Sequence, residues 1–170
     1  NLFGSKRIFT KFVFRNQSLM PSLNILKTTP TNSDFKSLIA LLDKDLAITD
    51  GEEHDFYHQF NGTQQIKHVL VGYIGNTPVS CGAFKALHTK EVEIKRMYTD
   101  AHYRGKGYAA QLLSALEKWA AAEGFTSCVL ETGTRQKAAI ALYHKCGYQI
   151  IPNYGPYKGV KNSLCFKKAL

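Results

Sequence analysis

Hydrophobic positions along the chain fall into two rhythms, and the changes between them mark out its elements. Phe35, Leu38, Ile39, Leu42 and Leu46 recur at the three-and-four spacing of an amphipathic helix. The preceding "TPTNSD" supplies the short polar side chains that open one. A weaker helical pattern covers Glu52–Phe60 and stops at Asn61–Gly62. Ala109, Leu112, Leu113, Leu116 and Ala120 make one stripe, closed by Gly124. Ala139, Leu142, Tyr143 and Cys146 make another within Gln136–Cys146, closed by Gly147.

Between these stretches, "LNILKT", "IKHVLVGY", "VSCGAFKA", "FTSCVLET", "YQII" and "NSLCFKK" are short apolar runs that predict strands. Gly75–Asn76 predicts a hairpin between the second and third. "EVEIKRMYT" alternates, with Val92, Ile94 and Tyr98 against Glu91, Glu93, Lys95, Met97 and Thr99. That alternation puts Glu93 and Met97 on one face. The order of elements predicts a single α/β (α+β) domain over residues 22–170, antiparallel early, with strand–helix units later. Residues 1–21 read as an N-terminal extension, within which Met20 is a candidate natural start.

Composition narrows the class of protein. The longest apolar run, "LIALL", is far short of the roughly 18 residues of a membrane helix, so no membrane partner is expected. The net charge of +9 raises the question of nucleic acid. However, the lysines are scattered and no nucleic-acid module is recognisable, so no nucleic-acid partner is expected either. A basic surface equally suits a small polyanionic cofactor. Six of the thirteen acids crowd between Asp43 and Asp55. Cys81, Cys128, Cys146 and Cys165 lie in apolar contexts without a CxxC pair. They read as reduced thiols in a cytoplasmic compartment, with no metal.

The candidate chemistry centres on "YRGKGYAAQLL", Tyr103–Leu113. Glycines allow backbone N–H groups to crowd against an anion, and the following helix adds its partial positive charge. A tight turn without ligand is the plain alternative. A dinucleotide fingerprint also fits "GKGYAA", with Glu131 near the ribose-binding position. Against it, "DAHYR" separates strand from glycine, an arginine opens the loop, and too little chain follows for such a fold.

The same stretch resembles the R/Q-x-x-G-x-G/A signature of the GNAT superfamily of acetyl-CoA-dependent N-acetyltransferases, through Arg104, Gly107 and Ala109. "RQKAAIALYHKCGY" resembles that superfamily's second motif, with Leu142, Tyr143, Gly147 and Tyr148 in place. "EIKRMYT" and "LETGTRQ" resemble a bacterial branch of small-molecule type. The similarity covers roughly residues 60–170, and Gln136 stands where many members have asparagine.

The resemblance implies a mixed, mostly antiparallel sheet flanked by helices, whose splayed middle strands hold acetyl-CoA as co-substrate. Its pantetheine arm would pair with Met97, Tyr98 and Thr99, and its pyrophosphate with the amides of Arg104, Gly105, Lys106, Gly107, Tyr108 and Ala109. Gln136 and Lys137 would touch the adenosine or phosphate end, with an ordinary solvated lysine as the alternative for Lys137. The implied reaction moves the acetyl group to a primary amine of a small molecule, or of a peptide, by direct attack in a ternary complex. An acetyl-CoA-binding sensor domain is the non-catalytic alternative. The resemblance also allows a homodimer.

Acetylating an amine requires a base for the ammonium, a donor for the oxyanion and an acid for the departing thiolate. Glu93, eleven residues before Arg104, is the candidate base, through water, with Glu91 as fallback. A surface glutamate paired with Lys95 or Arg96 is the alternative reading. The Met97 N–H is the candidate oxyanion donor and Tyr143 the candidate acid, although tyrosine on an apolar stripe is by itself more often core. His102 and His144 read as solvent-exposed. Glu52, Glu53 or Asp55 would attract a cationic acceptor, unless they merely open a helix capped by Asp50. Tyr154 and Tyr157 are expected to line the same site.

Overall fold

A computed structural model describes residues 22–170, the side chains of His54 and His58 excepted. The expected N-terminal extension, residues 1–21, lies outside the described residues. Strand β1 (Asn24–Thr28) leads into helix α1 (Ser33–Asp50), whose first turn is capped by Asn32: its Oδ1 accepts from the Phe35 N–H at 2.9 Å. A 3-10 turn at Gly51–Glu53 and the short helix α2 (His54–His58) follow. Next come β2 (His68–Ile74), β3 (Thr77–His88), β4 (Glu91–Thr99), α3 (Tyr108–Ala122), β5 (Ser127–Gly133), α4 (Lys137–Lys145), β6 (Gln149–Ile151) and β7 (Ser163–Ala169).

The seven strands form one sheet in the order β1-β2-β3-β4-β5-β7-β6. All neighbours are antiparallel except β4 and β5. That parallel pair is short: only Glu91–Glu93 face Ser127–Val129. Beyond it the two strands part, so β4 from Ile94 onward has a ladder on its β3 side alone. This is the splay on which the site is built.

Each face of the sheet buries its own core. On one, Phe84, Val92, Ile94, Leu112, Leu113, Leu116 and Tyr143 pack beneath α3 and α4. On the other, Phe35 and Leu38 of α1 meet Val69, Val71, Cys81, Ala83 and Tyr98. Each fully buried leucine or phenylalanine contributes about 1.5–3 kcal/mol.

The structure corrects the alternation expected for β4. Lys95 pairs with Ala83 and Tyr98 with Cys81, so Arg96 and Met97 together oppose Gly82 alone. This is a β-bulge, and Arg96 takes it up at φ +57°. The extra residue resets the side-chain period. Tyr98 therefore lies with Glu93 and Lys95 on the α1 face, while Met97 turns to α3, opposite to the shared face expected for Glu93 and Met97. Gly82 makes room for it: a Cβ there would lie 2.5 Å from Met97 Sδ and 2.9 Å from Leu116. A second correction concerns Asp50, which is not a helix-opening cap. It is the buried last residue of α1, and Glu53 takes the N-cap position of α2.

Candidate active site

The end of β4 and the start of α3 are joined by a loop whose shape follows from its residues. Asp100 Oδ1 accepts from the His102 N–H at 2.9 Å, shaping a 3-10 turn at Ala101–Tyr103. Gly105 at φ +76° and Gly107 at φ +81° then carry the chain through left-handed backbone into α3. A Cβ on either would meet nothing within 4 Å, so space over the loop is open and the backbone itself demands glycine. Helix α3 begins at Tyr108 and directs its first amides toward that space.

Arg104 fastens the loop. Its Nε donates to the Thr99 carbonyl at 2.8 Å and its Nη2 to Asp45 Oδ2 at 2.7 Å, with the guanidinium 5.5 Å from the Tyr98 ring centre. The side chain thus joins strand end, loop and α1, while the Arg104 N–H donates to the Ala101 carbonyl at 3.4 Å. Lys106 is exposed and donates to the His102 carbonyl at 3.3 Å.

Where β4 and β5 part, a cavity of about 130 Å³ opens between the strands, α1 and the start of α4. Met97 lines it from β4, Glu131 from β5, and Gln136 and Tyr143 from α4 and its approach. Gln136 holds the N-cap position of α4 without a side-chain cap bond, and its Nε2 is buried with no hydrogen-bond partner. Tyr143 is 6% exposed. Burial, and then the Glu131 charge, push its phenol above the ordinary range and keep it protonated.

Glu131, which the sequence offered only at the ribose-binding position of a dinucleotide fold, also lines this cavity. It accepts from Ser163 Oγ at 2.6 Å. Its carboxyl is pushed up to about 7: burial raises it, the Ser163 bond and Lys95 oppose, and the Glu93 and Asp50 charges add to the rise. The signal was available in "CVLETG", one acid in an otherwise apolar strand run. What singles it out, however, is that β4 pairing ends two residues earlier.

Glu93 occupies a different position. It is 3% exposed and lines a second cavity of about 330 Å³, on the α1 face. Its Oε1 accepts from the Tyr154 hydroxyl at 3.0 Å and lies 3.7 Å from Lys95 Nζ; its Oε2 is 3.4 Å from Lys85 Nζ. Lys95 and Tyr157, joined by a 3.2 Å hydrogen bond, line both cavities and form the wall between them. Burial lowers the Lys95 ammonium pKa against the opposing pull of Glu93. Tyr154 and Tyr157 meet edge to face at 5.9 Å, and burial pushes both phenols up.

The remaining sequence-derived residues divide. Glu91 lies at the closed end of the β4–β5 pair. Burial works to raise its carboxyl, but hydrogen bonds from Lys167 and Ser127 prevail and hold it low. Glu52 and Asp55 are exposed, whereas Glu53 accepts from Arg135 at 3.0 Å and from Asn162 at 2.6 Å. Glu53 is thus a strut between the α1–α2 connection, the approach to α4 and the β6–β7 loop. His102 and His144 are exposed, the latter edge-on to Phe166. The cysteines are free thiols, and burial pushes Cys81 and Cys128 up to about 12. Among the described residues no cluster of His, Cys, Asp or Glu could hold a metal ion, and no helix is long and apolar enough to cross a membrane.

A parting parallel strand pair, with a glycine loop and helix N-terminus at one end and a buried acid and tyrosine in the gap, defines an acyltransferase scaffold. The model of the acetyltransferase (GNAT) family matches residues 35–148. The chain belongs to that family and is an acyltransferase. It is 32% identical over 154 residues to an IAA acetyltransferase of Azospirillum brasilense, covering 89% of this chain and all of that one. Among solved structures, a Klebsiella pneumoniae protein described as an acyl-CoA N-acyltransferase superposes with a TM-score of 0.75 at 32% identity, over 89% of this chain and 99% of the other. The PaiA N-acetyltransferase of Thermoplasma acidophilum, determined with coenzyme A, shares the fold at a TM-score of 0.68 and 17% identity, over 88% of this chain and 99% of its own.

Proposed function

We propose that this protein transfers the acetyl group of acetyl-CoA to a primary amine, most simply that of a small molecule, by direct attack within a ternary complex. The observation that carries this reading is the shared cavity. Glu131 and Tyr143, a carboxyl poised near neutrality and a phenol kept protonated, face one gap at the open edge of β4.

The residues fit acetyl-CoA. The open space over Gly105 and Gly107 at the α3 N-terminus suits a pyrophosphate. The unladdered edge of Met97, Tyr98 and Thr99 suits the pantetheine amides, and the unpartnered Gln136 Nε2 suits a carbonyl or phosphate oxygen. When bound, the thioester supplies an acyl carbon open to attack.

Glu131 takes the proton of the incoming ammonium, which its carboxylate form does efficiently near pH 7. The amine nitrogen forms its bond to the carbonyl carbon, and the Met97 N–H steadies the charge that develops on the carbonyl oxygen. As the carbon–sulfur bond breaks, Tyr143 gives its proton to the sulfur and is reprotonated, through water, by the second proton that the new amide nitrogen loses, while Glu131 returns its own to solvent. Glu93 acts one step back: with Tyr154 it fixes Lys95 and Tyr157, the wall of the acceptor cavity.

The first experiment is a thermal-shift titration with acetyl-CoA, followed by acetylation assays on a panel of primary amines. At a hundred times the dissociation constant a ligand adds about 2.7 kcal/mol, a rise of roughly 5–10 °C for a chain of this size. A shift with turnover supports the reading. A shift without any turnover points to a sensor domain, and no shift removes acetyl-CoA from consideration.

A further inference from the structure

Ser163 is buried at the start of β7, behind the lining of the splay cavity, and it touches two residues that belong to that lining. Its Oγ lies 2.6 Å from Glu131 Oε1 and 3.3 Å from the Tyr57 hydroxyl. Glu131 comes from β5 and Tyr57 from α2, so three elements meet at one serine oxygen. The serine is firmly held. It sits opposite Gly133 in the β5–β7 ladder, and Asn153 Nδ2 donates to its carbonyl at 3.1 Å and to that of Val160 at 3.0 Å. The segment carrying Tyr57 is tied down on both sides. Glu53 accepts from Asn162, the residue before Ser163, at 2.6 Å, and the Phe60 ring meets Tyr157 edge to face at 5.5 Å.

A serine hydroxyl has a single hydrogen to give and lone pairs to receive. The short contact with a carboxylate has the stronger claim on that hydrogen, so the Tyr57 hydroxyl supplies the hydrogen of the 3.3 Å contact. The chain therefore runs from Tyr57 to Ser163 to Glu131 Oε1, and each donation strengthens the next. Glu131 Oε2 has no partner among the described hydrogen bonds. Around the carboxyl, β4 contributes Glu93, Lys95 and Arg96, α1 contributes Asp50, and β7 contributes Cys165. Tyr143 of α4 and Tyr157 of the β6–β7 loop complete the titratable surroundings. Burial and the charges of Glu93 and Asp50 favour the protonated carboxyl. The Ser163 bond is the foremost of the effects that oppose them, ahead of Lys95.

We propose that Ser163 and Tyr57 are positioning residues of the transfer reaction, a hydroxyl chain that orients Glu131 by one carboxylate oxygen and leaves the other to take the acceptor's proton. The inference rests on the N-acetyltransferase reading, with Glu131 as base, and deepens it. Neither residue touches the reacting atoms; both act through Glu131. Without the chain the buried carboxyl would hold its proton near neutrality and would be free to turn, and either change removes a base.

The test titrates the Glu131 carboxyl by carbon-13 NMR in protein labelled at glutamate Cδ, the signal being identified by its loss in Glu131→Gln. Alongside it, the acid limb of kcat/KM is followed at saturating acetyl-CoA with a panel of primary amines, tyramine, putrescine and glycine among them. Ser163→Ala removes a hydrogen bond to the charged form, so the NMR midpoint should rise by about 1–2 pH units and the kinetic limb should rise with it. At pH 7 that lowers kcat/KM by about 10-fold or more, and much of the loss should return well above the new limb. Ser163→Thr keeps the hydroxyl and should bring midpoint and limb back. Tyr57→Phe keeps the ring and should move both in the same direction by less. Circular dichroism and the acetyl-CoA thermal shift of each variant check that fold and co-substrate binding are intact. If Ser163→Ala does not fold, Tyr57→Phe decides. An unmoved midpoint, or a limb that stays in place while the midpoint moves, overturns the inference and leaves N-acetylation standing. Full activity of Glu131→Gln, or acetyl-CoA binding with no amine of the panel acetylated, overturns the underlying reading and this inference with it.

Discussion

The Tyr154 hydroxyl donates to Glu93 Oε1 at 3.0 Å, bridging β4 and the β6–β7 loop across sixty-one residues of sequence. Lys95 lies 3.7 Å from the same oxygen and Lys85 3.4 Å from Oε2, so both carboxylate oxygens already have partners. Glu131, in the other cavity with Met97 and Tyr143, is engaged by Ser163 alone among the described hydrogen bonds. Glu131→Gln should therefore lower kcat by about 100-fold or more, the usual worth of a positioned base. Glu93→Gln should act mainly on acceptor KM. Steady-state kinetics with both variants decides; the reverse ranking would restore Glu93 as the base.

Glu131 also sets a pH dependence. A base must be deprotonated, so kcat/KM should fall as pH drops through about 7 in the wild type. The stability effect has the opposite sense. A carboxyl raised above its unfolded value binds its proton more tightly in the folded state, so this group lowers stability as pH rises from the unfolded carboxylate pKa to about 7. Glu131→Gln should then melt above the wild type at pH 8, and the gap should close near pH 4. Melting curves at the two pH values read it directly.

Tyr143 is buried yet lines the cavity, so its ring serves packing and its hydroxyl serves chemistry. Tyr143→Phe keeps the ring. We expect the melting temperature and the acetyl-CoA affinity to be nearly unchanged and kcat to fall about 10- to 100-fold. A kcat equal to wild type would return Tyr143 to the core.

The loop separates conformation from charge. Gly107→Ala forces a Cβ into left-handed backbone at φ +81°, at a cost of about 1–2 kcal/mol, and should also weaken acetyl-CoA binding. Arg104→Ala breaks a half-exposed ion pair with Asp45, which is worth less than about 1 kcal/mol in stability. Its effect should appear in calorimetric titration with acetyl-CoA rather than in melting, because the arginine holds the loop against Thr99.

The acidic stretch beside α2 divides into one strut and two solvated charges. Glu53→Ala releases Arg135 and Asn162 and should lower the melting temperature and disturb acceptor KM together. Glu52→Gln and Asp55→Asn should change neither, since both side chains are exposed. A changed acceptor KM in the latter pair would show that these charges attract the substrate.

Most elements of the fold were legible in the sequence. Apolar spacing placed all seven strands and the helices α1, α3 and α4, because burial of one face imposes a period that no surface substitution disguises. The glycine loop was legible as well, since positive φ demands particular residues locally. Helix α2 was overextended, because Gly51 at φ +57° and a 3-10 turn intervene where polar residues hide the break. The bulge at Arg96 could not be read at all. "EIKRMYT" alternates well enough on paper, and only pairing with β3 across Gly82 reveals that two residues oppose one. That slip moved Met97 to the α3 face and left Glu93 among Lys85, Lys95 and Tyr154. The sequence by itself determined the periods, the turns and the phosphate-type loop, all of which depend on neighbours within a few residues. Only the tertiary structure decided which acid shares a cavity with Tyr143 and which hydroxyls hold that acid, because both depend on where β4 and β5 part and on what α2 and β7 bring to the gap.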